Sequence, residues 1–243
     1  MNHFNGKVYS TFSAVPQELL LEGYTDESYL QYFYEKWQTG TKNHFQDECI
    51  AKLTLMLNLL LRDEDVSVLD LGGGAGQTFS RIEKFLSKVH MIQWDVVEVE
   101  GIVNWAEEVI RKPNLTFHKD ITGIKQADVL FSRSAIQLIE DYSEVMKNII
   151  RSFLPKFIHL DGISAGNNIE YVTLVLLNGK KGIPCIILNE KELIQIIEEL
   201  GYVLIEKYLN NIKLSMGNFF DVKYHLDDRR ENNTKGYIFL RNI

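Results

Sequence analysis

Two hydrophobic periods alternate along residues 66–241 of this chain of 243 residues. Short apolar runs predict buried strands, and stretches with apolar residues three or four positions apart predict helices between them. The predicted strands are 66–70, 90–98, 115–118, 128–132, 157–161, 202–209 and 237–241. The predicted helices are 77–88, 102–111, 142–153 and 190–200. This order predicts an α/β fold, in which ligands bind at the carboxyl ends of the parallel strands.

Residues 1–65 carry a different pattern, in which aromatic and apolar residues recur at helical spacing. A short helix is expected after Pro16 and a longer one over 44–61. We therefore predict an N-terminal helical cap over 1–65 and an α/β domain over 66–243. The tyrosines of the cap would pack on the sheet, form a dimer contact or close over a substrate. Tyr24 lies in a turn and is the candidate substrate contact of this group.

The composition limits the classes of protein to which the chain can belong. A hydrophobic fraction of 45% and a charged fraction of 24% predict a packed globular core. A net charge of −7 argues against nucleic acid as the main partner, because a surface that follows phosphates needs a basic excess. The longest apolar run, Leu53–Leu61, is far shorter than the roughly 20 residues of a membrane-spanning helix.

The cysteines and the first residues bear on the compartment. Cys49 and Cys185 are far apart in sequence and form neither a disulfide framework nor a metal-ligand spacing. The segment that begins at Met1 has no apolar signal core. We expect a soluble, cytoplasmic protein with two buried thiols and no metal site.

A glycine-rich turn, Asp70–Gly76, follows the first strand of the α/β pattern and precedes a helix. Glycine allows a tight turn and lets the backbone approach a ligand closely. The next strand ends at Glu98, about 20 residues farther on, the interval at which a carboxylate holds ribose hydroxyls. A dinucleotide site needs the spacing G-x-G-x-x-G, and Gln77 stands where its third glycine would fall. The turn therefore predicts a nucleotide cofactor other than a dinucleotide.

The spacing D-x-G-x-G-x-G from Asp70 to Gly76 resembles the first motif of class I S-adenosylmethionine-dependent methyltransferases. The resemblance implies that Asp70 lies near the ammonium group of that cofactor and Glu98 near its ribose. It also implies S-adenosylhomocysteine as product. The implied fold is a Rossmann-like, seven-stranded, mostly parallel sheet with an antiparallel last strand. The residues implied for cofactor binding are Asp70, Gly72, Gly73, Gly74, Gly76, Gln77, Glu98, Val99, Asp120, Ile121 and Ser132.

The later motifs have separate implied roles. Asp120 and Ile121 look like the pair that contacts the adenine, and Ser132 looks like the position beside the methionine moiety. Trp94–Glu98, Asn114–His118 and Ala135–Asp141 look like a family of methyltransferases often encoded in surface-polysaccharide gene clusters for capsule or O-antigen.

That second resemblance implies O-methylation of a sugar hydroxyl or a phosphorylated group in a small-molecule acceptor. The aromatic N-terminal segment and the late strand with Gly236–Phe239 also fit this family. The chain departs from it after the fifth strand, where Gly162 follows Asp161 and the family tends to have a basic residue.

The acceptor chemistry has four candidate residues. Asp161 ends the fifth strand and is interpreted as an acceptor contact or base, with a structural role as the alternative. His159 shares its face of the strand, and His225 precedes the last strand. Both are candidate catalytic bases, with a core histidine and an exposed loop histidine as the alternatives. Arg133 would hold an anionic acceptor group or form a surface ion pair.

Three functions remain open at this point. The leading hypothesis is a small-molecule methyltransferase, either monomeric or a homodimer. The second is an NAD(P)-dependent oxidoreductase on a related sheet, which Gln77 disfavours. The third is a non-catalytic protein that binds the cofactor and serves as a partner in a biosynthetic complex.

Overall fold

The computed structural model describes residues 3–4, 7–21, 47–166, 169–176, 181–213 and 233–242. Its strands are β1 His3–Phe4, β2 Val66–Leu71, β3 Ile92–Val97, β4 Leu115–His118, β5 Val129–Arg133, β6 Phe157–Ile163, β7 Ala165–Gly166, β8 Tyr171–Leu176, β9 Gly182–Asn189, β10 Tyr202–Lys213 and β11 Asn233–Arg241. Its described helices are α1 Glu48–Leu60, α2 Gln77–Ile82, α3 Glu100–Val109, α4 Tyr142–Phe153 and α5 Glu190–Glu198. None of the described helices has both the length and the apolar character needed to cross a membrane.

The larger sheet has seven strands in the order β10-β11-β6-β5-β2-β3-β4. Strand β2 pairs in parallel with β3 and β5, and β3 pairs in parallel with β4. Strand β11 runs antiparallel to β10. The predicted α/β fold, a mostly parallel Rossmann-like sheet with an antiparallel last strand, is confirmed.

The chain divides into two compact units. One, called here the glycine-turn unit, comprises residues 22–133 and 149–159. The other, called here the hairpin unit, comprises residues 1–21, 134–148 and 160–243. The predicted boundary at residue 65 stays a prediction, because most of the aromatic pattern of the cap lies in 22–46, outside the described residues.

The core of the glycine-turn unit is formed by buried residues of α1, α2, α3 and its strands. Leu53 and Leu57 of α1 are fully buried there. Trp94 of β3 lies between two aromatic rings, 5.5 Å from Phe79 and 6.2 Å from Phe131 between centroids. Aromatic pairs at such distances each contribute about 0.5–1.5 kcal/mol beyond the area that they bury. These contacts hold the strands, and so their carboxyl ends, in fixed register.

The hairpin unit contains a second sheet of four strands, β1-β8-β9-β7, that the sequence analysis missed. Strands β8 and β9 form an antiparallel pair with Tyr171 opposite Ile187 and Leu176 opposite Gly182. The residues of β8 from Tyr171 to Val175 are all buried, so the strand lacks the alternation of apolar and polar residues that marks a half-exposed strand. A Cβ at Gly182 would lie 2.0 Å from the carbonyl oxygen of Val175, so this pairing requires glycine.

Several predicted boundaries need correction. The helix predicted over 77–88 ends at Ile82 and continues as a 3₁₀ turn, Glu83–Phe85. The short helix expected after Pro16 is a single 3₁₀ turn, Gln17–Leu19. Strand β10 extends to Lys213, four residues beyond its prediction. The long helix of the cap begins at Glu48, where the carboxylate of Asp47 accepts from the backbone N–H of Ile50. The first and last residues of these helices and strands depend on helix caps and on the register of strand pairs. The hydrophobic period alone predicts neither of them.

Candidate functional site

The glycine turn connects β2 to α2 through backbone that only glycine adopts readily. Gly72, Gly74 and Gly76 have φ values of 70°, 57° and 73°, in the left-handed region. A Cβ at Gly73 would lie 2.5 Å from the carboxyl carbon of Asp70, so the backbone of the turn lies directly against that side chain. The glycines therefore bring main chain and carboxylate together at the carboxyl end of β2.

Asp70 is a fully buried carboxylate at the carboxyl end of β2, and its two oxygens have different surroundings. The indole N–H of Trp94 donates to its Oδ2 at 3.0 Å. Its Oδ1 has no hydrogen-bond partner among the described residues. Burial raises the pKa of Asp70 to about 7; the Trp94 hydrogen bond opposes the rise and the charge of Glu98 adds to it. The Oδ1 atom of Asp70 is therefore suited to accept a hydrogen bond from a cation.

Glu98 lies just beyond the end of β3, beside the turn. Its Oε2 accepts from the backbone N–H of Gly74 at 3.1 Å, and its Oε1 accepts from that of Val99 at 2.9 Å. Burial is the main cause that raises the pKa of Glu98 above its usual range, and the two backbone hydrogen bonds partly oppose it. The side chain of Val99 is 40% exposed. The acidic residue predicted for ribose binding thus lies against the glycine turn.

Two more predicted cofactor residues border the turn. The Oε1 of Gln77 accepts from the backbone N–H of Ala75 at 3.1 Å, and the buried Nε2 of Gln77 has no hydrogen-bond partner among the described residues. Ser132, fully buried on β5, donates to the carbonyl oxygen of Leu71 at 2.9 Å. That bond ties the ends of the adjacent strands β5 and β2 together.

Asp120 and Ile121 follow β4, at the same edge of the sheet. Asp120 is exposed, and its Oδ1 accepts from the backbone N–H of Thr122 at 2.6 Å. The hydrogen bonds from Thr122 lower the pKa of Asp120, which keeps the carboxylate ionised at neutral pH. Ile121 is half-buried. The two residues predicted to contact the adenine therefore lie just beyond the end of β4, where at least Asp120 is open to solvent.

Arg133, which ends β5, forms an ion pair, and the sequence did not reveal its partner. Its Nη2 lies 2.9 Å from Oδ2 of Asp47, the residue that caps α1. The Nη2 of Arg81, on α2, lies 3.0 Å from the same oxygen. Asp47 carried no signal in the sequence apart from its place before an apolar helix, and its two partners are far away along the chain.

His159 lies in the middle of β6 and is fully buried. Its ring meets that of Phe131 edge to face, with 5.4 Å between centroids. The pKa of His159 is lowered to about 3, mainly by burial and also by the charges of Arg133 and Lys52. The imidazole is therefore neutral at physiological pH, and these surroundings favour the core-histidine alternative. Its assignment as a catalytic base stays a prediction.

Asp161, in the hairpin unit, is fully buried and held at both its side chain and its main chain. The hydroxyl of Tyr208 donates to Oδ1 of Asp161 at 2.8 Å. Ser134 donates its backbone N–H to the carbonyl oxygen of Asp161 at 2.8 Å. Gly162 and Ser134 both have positive φ, 66° and 58°, and a Cβ at Gly162 would lie 2.1 Å from the Ser134 hydroxyl oxygen. Gly162, which departs from the family pattern, is therefore required by the close approach of Ser134.

The Tyr208 contact depends on a glycine in the neighbouring strand. Tyr208 pairs with Gly236 across β10 and β11, and a Cβ at Gly236 would lie 2.1 Å from the Tyr208 ring. Only the register of the strands shows this relation, so the sequence analysis missed Tyr208. The remaining candidates, His225 and Tyr24, lie outside the described residues and stay predictions.

Comparison with known proteins gives a likeness of fold. No protein-family model matches the chain, and no curated protein matches it. Among solved structures, LepI in complex with S-adenosylmethionine aligns with a TM-score of 0.54 and 13% identity over 90% of this chain. The match takes in 53% of LepI, so the chain spans about half the length of that protein.

Two further solved structures match over most of both chains. One is a 1,6-didemethyltoxoflavin-N1-methyltransferase from Burkholderia thailandensis with bound 1,6-didemethyltoxoflavin and S-adenosylhomocysteine, with a TM-score of 0.51, 11% identity, and 93% of each chain covered. The other is the magnesium protoporphyrin IX methyltransferase ChlM from Synechocystis PCC 6803 with S-adenosylmethionine, with a TM-score of 0.53, 11% identity, and 90% of this chain and 93% of that chain covered. The chain therefore has a fold that S-adenosylmethionine-dependent methyltransferases also have.

Proposed function

We propose that this chain is an S-adenosylmethionine-dependent methyltransferase that acts on a small molecule. The observation that carries the proposal is the buried oxygen of Asp70, which has no partner among the described residues and lies against the glycine turn. An ammonium group beside it would satisfy that oxygen with a charge-assisted hydrogen bond. A dinucleotide offers phosphates instead, which an adjacent buried carboxylate would repel.

The described residues fit the cofactor at each of its parts. Asp70 would hold the amino group of the methionine end, and Glu98 would accept from the ribose hydroxyls. Asp120 and Ile121 would contact the adenine, and Ser132 would lie near the methionine moiety. The other cofactor-binding residues that we propose are Gly72, Gly73, Gly74, Gly76, Gln77 and Val99. S-Adenosylmethionine supplies a methyl group bonded to a positively charged sulfur, which makes that methyl electrophilic.

We further propose that the acceptor is a sugar hydroxyl or a phosphorylated group in capsular or surface polysaccharide synthesis. The support is the resemblance of Trp94–Glu98, Asn114–His118 and Ala135–Asp141 to methyltransferases of such gene clusters. Removal of a hydroxyl proton calls for a base. Asp161 is our first candidate for that base, because Tyr208 donates to its carboxylate and Ser134 donates to its backbone carbonyl, which together hold the residue in place. His225 and His159 are the other candidates.

The experiment that tests the cofactor is isothermal titration of the full chain with S-adenosylhomocysteine and with NAD. We expect S-adenosylhomocysteine to bind and NAD to give no heat. Binding of NAD alone would overturn the proposal in favour of an oxidoreductase. The variant Asp70→Asn should weaken S-adenosylhomocysteine binding. Asp128→Asn is its matched control, because Asp128 is also a buried aspartate but lies at the amino end of β5.

Catalysis needs a separate measurement, because binding alone also fits a non-catalytic partner protein. Transfer of the labelled methyl of S-adenosylmethionine is followed over a panel of hydroxylated and phosphorylated sugars. We expect label in at least one of them, and loss of that transfer in Asp161→Asn with S-adenosylhomocysteine affinity kept. A chain that binds the cofactor and labels no acceptor of either class would contradict the proposed reaction.

A further inference from the structure

A cavity of about 490 Å³ opens at the amino ends of the strands of the glycine-turn unit. Its wall comes from the starts of β2 and β3 and from the loop that leads into β5. Small-molecule sites commonly have volumes of about 300–1,000 Å³. The glycine turn follows the other end of β2, a strand of six residues that spans about 20 Å. The cavity is therefore separate from the proposed cofactor site.

The face of the sheet at this cavity is polar and open to solvent. Residues 119–128 join β4 to β5 without a helix, although parallel strands are usually joined by one that covers a face of the sheet. The strand register places Gln93 beside Ser67 and Asp95 beside Thr116, so these four side chains share one face. Gln93 and Thr116 are exposed there. A ligand can therefore reach this face from solvent.

Asp95 is the most deeply buried charge of the glutamine-bearing strand β3 and lines the cavity. It is 8% exposed. Its Oδ1 accepts from Nε2 of Gln93 at 3.1 Å and lies 2.8 Å from Nε2 of His118. In the part of the chain that the structure describes, no group donates to its Oδ2. A carboxylate oxygen shielded from water is stabilised by a hydrogen-bond donor, and most strongly by a charged one.

The amide side chains of the cavity present oxygens to a ligand. Nε2 of Gln93 is used by Asp95, and Nε2 of Gln126 donates to both carboxylate oxygens of Asp128, at 3.0 and 2.9 Å. Nδ2 of Asn114 donates to a main-chain carbonyl oxygen at 2.6 Å. These acceptors fix the orientation of each amide, because an amide oxygen cannot donate to them. No described residue donates to the three amide oxygens, which are therefore available as acceptors.

The charges of the wall favour a cation. Asp65, Asp95 and Asp128 line the cavity together with one lysine, Lys125. Lys156 lies 3.4 Å from Asp128 and offsets its charge. Among the described residues, the acidic and histidine side chains of this cavity form no group of three within 4.8 Å of one another, so they do not converge on one metal ion. Acceptors that are spread along a wall match a cation whose charges are also spread.

We propose that this cavity binds a linear polyamine. One ammonium group donates to Oδ2 of Asp95, and the others donate to the amide oxygens of the wall. The methylene chain between them lies against the apolar residues of the wall, Met91, Ile92 and Ile124. The site does not depend on the proposed function, because it lies at the opposite ends of the strands from the glycine turn.

The test titrates the full chain with spermidine by calorimetry at constant ionic strength. We expect spermidine to bind, and Asp95→Asn to weaken the binding at least about tenfold, a change of about 1.4 kcal/mol. Asparagine has nearly the shape of aspartate and still accepts from Gln93, so the variant should keep its fold, which circular dichroism checks. Lys125→Gln should tighten spermidine binding, because it removes a like charge from the wall.

Asp63→Asn is the matched control. Asp63 is an exposed aspartate of the same turn as Asp65 but does not line the cavity, so its loss should leave spermidine affinity unchanged. Butylamine, which has a single ammonium group, should bind at least about tenfold more weakly than spermidine. Absence of spermidine binding, or equal affinity in Asp95→Asn and Asp63→Asn, would overturn the proposal. Displacement of spermidine by an equal concentration of magnesium would overturn it in favour of a metal site.

Saturation with S-adenosylhomocysteine should leave spermidine affinity unchanged, because the two sites lie at opposite ends of β2. Competition between the two ligands would contradict a separate site. Failure of the proposed function is distinguishable from failure of this proposal. It appears as absent S-adenosylhomocysteine binding in the natural chain, in which spermidine can still be titrated.

Discussion

Two buried aspartates in the glycine-turn unit, Asp70 and Asp128, differ in their hydrogen-bond partners. Asp128, at the amino end of β5, is 6% exposed and accepts from the backbone N–H and hydroxyl of Ser67 and from the amide of Gln126. Lys156 adds a cation 3.4 Å away. Asp70, at the carboxyl end of β2, is 0% exposed, and within the part of the chain that the structure describes it accepts from Trp94 at Oδ2 and has no partner at Oδ1.

The difference separates a structural carboxylate from one available to a ligand. The hydrogen bonds and Lys156 lower the pKa of Asp128 although burial opposes them, so the folded chain stabilises its ionised form. Burial raises the pKa of Asp70 to about 7, so folding makes its ionised form costly. Among the described residues, Asp128 has partners at both carboxylate oxygens and Asp70 at one, which supports our proposal that a ligand group completes the hydrogen bonding of Asp70.

The largest effect that we expect is on cofactor affinity. Asp70→Asn removes the charge that would hold the ligand ammonium, and a hydrogen bond between charged groups contributes up to about 3 kcal/mol. S-Adenosylhomocysteine affinity at pH 8 should fall on the order of 100-fold by titration calorimetry. In Asp128→Asn the affinity should change less than about threefold. Equal losses in the two variants would break the distinction between the two aspartates.

The next largest effect is on the free energy of unfolding, which should fall in Asp128→Asn and rise in Asp70→Asn. Asp128→Asn removes charge-assisted hydrogen bonds and should lower the free energy of unfolding by about 2 kcal/mol. A pKa shift of Asp70 from 3.8 to about 7 corresponds to about 4 kcal/mol. Asp70→Asn avoids that cost, but its buried amide lacks a partner, so we expect a net gain of about 2 kcal/mol at pH 8.

Urea denaturation at pH 5 and pH 8 checks both signs. The Asp70 contribution favours folding while the group is protonated and is lost as the pH rises from about 4 to about 7, because its folded pKa is raised. Asp128 has a lowered folded pKa, so its contribution is present above the unfolded pKa and disappears in acid. A destabilised Asp70→Asn at pH 8 would show that Asp70 is structural too.

The pH dependence of binding should sharpen the comparison further. With a pKa of about 7, Asp70 in the free chain is about 3% ionised at pH 5.5 and about half ionised at pH 7. S-Adenosylhomocysteine affinity should therefore rise about 15-fold over this interval. The same titration of Asp70→Asn removes this contribution and supplies the baseline. A natural chain whose affinity follows that baseline would refute the assignment of Asp70 to the ammonium.

The smallest effect that we expect concerns a third buried aspartate, Asp161. Tyr208→Phe removes one hydroxyl donor from its carboxylate and should cost about 1 kcal/mol of stability, with S-adenosylhomocysteine affinity unchanged. Thermal unfolding and calorimetry measure the two quantities. A loss of cofactor affinity in this variant would place Asp161 with the ligand-binding carboxylate, Asp70, instead of with the acceptor.

Local sequence patterns predicted the positions of the strands in the larger sheet. They did not predict which residues of neighbouring strands lie opposite each other. The end of β2 at the glycine turn and the position of Glu98 after β3 follow from local patterns, so all seven strands of the larger sheet were predicted. Tyr208 and Asp161 meet only because β10 and β11 pair with Gly236 opposite Tyr208. No local period carries a register between distant segments.

Local sequence patterns also failed to predict the small sheet and the ion pairs of Asp47, for different reasons. The small sheet was missed because β8 is buried from Tyr171 to Val175 and so lacks a twofold period of apolar and polar residues. Asp47 forms ion pairs with Arg81 and Arg133, which are 34 and 86 positions away in the sequence. The sequence alone does not show which charged residues pair with one another.

The unsatisfied carboxylate of Asp70 also has a consequence for the life of the protein in a cell. The chain without ligand carries the cost of that buried charge, and a ligand that binds only the folded state removes it. The unfolded fraction, which proteases degrade, should therefore fall as the concentration of that ligand rises. If the ligand is S-adenosylmethionine, as we propose, cellular levels of this protein would follow the supply of that methyl donor.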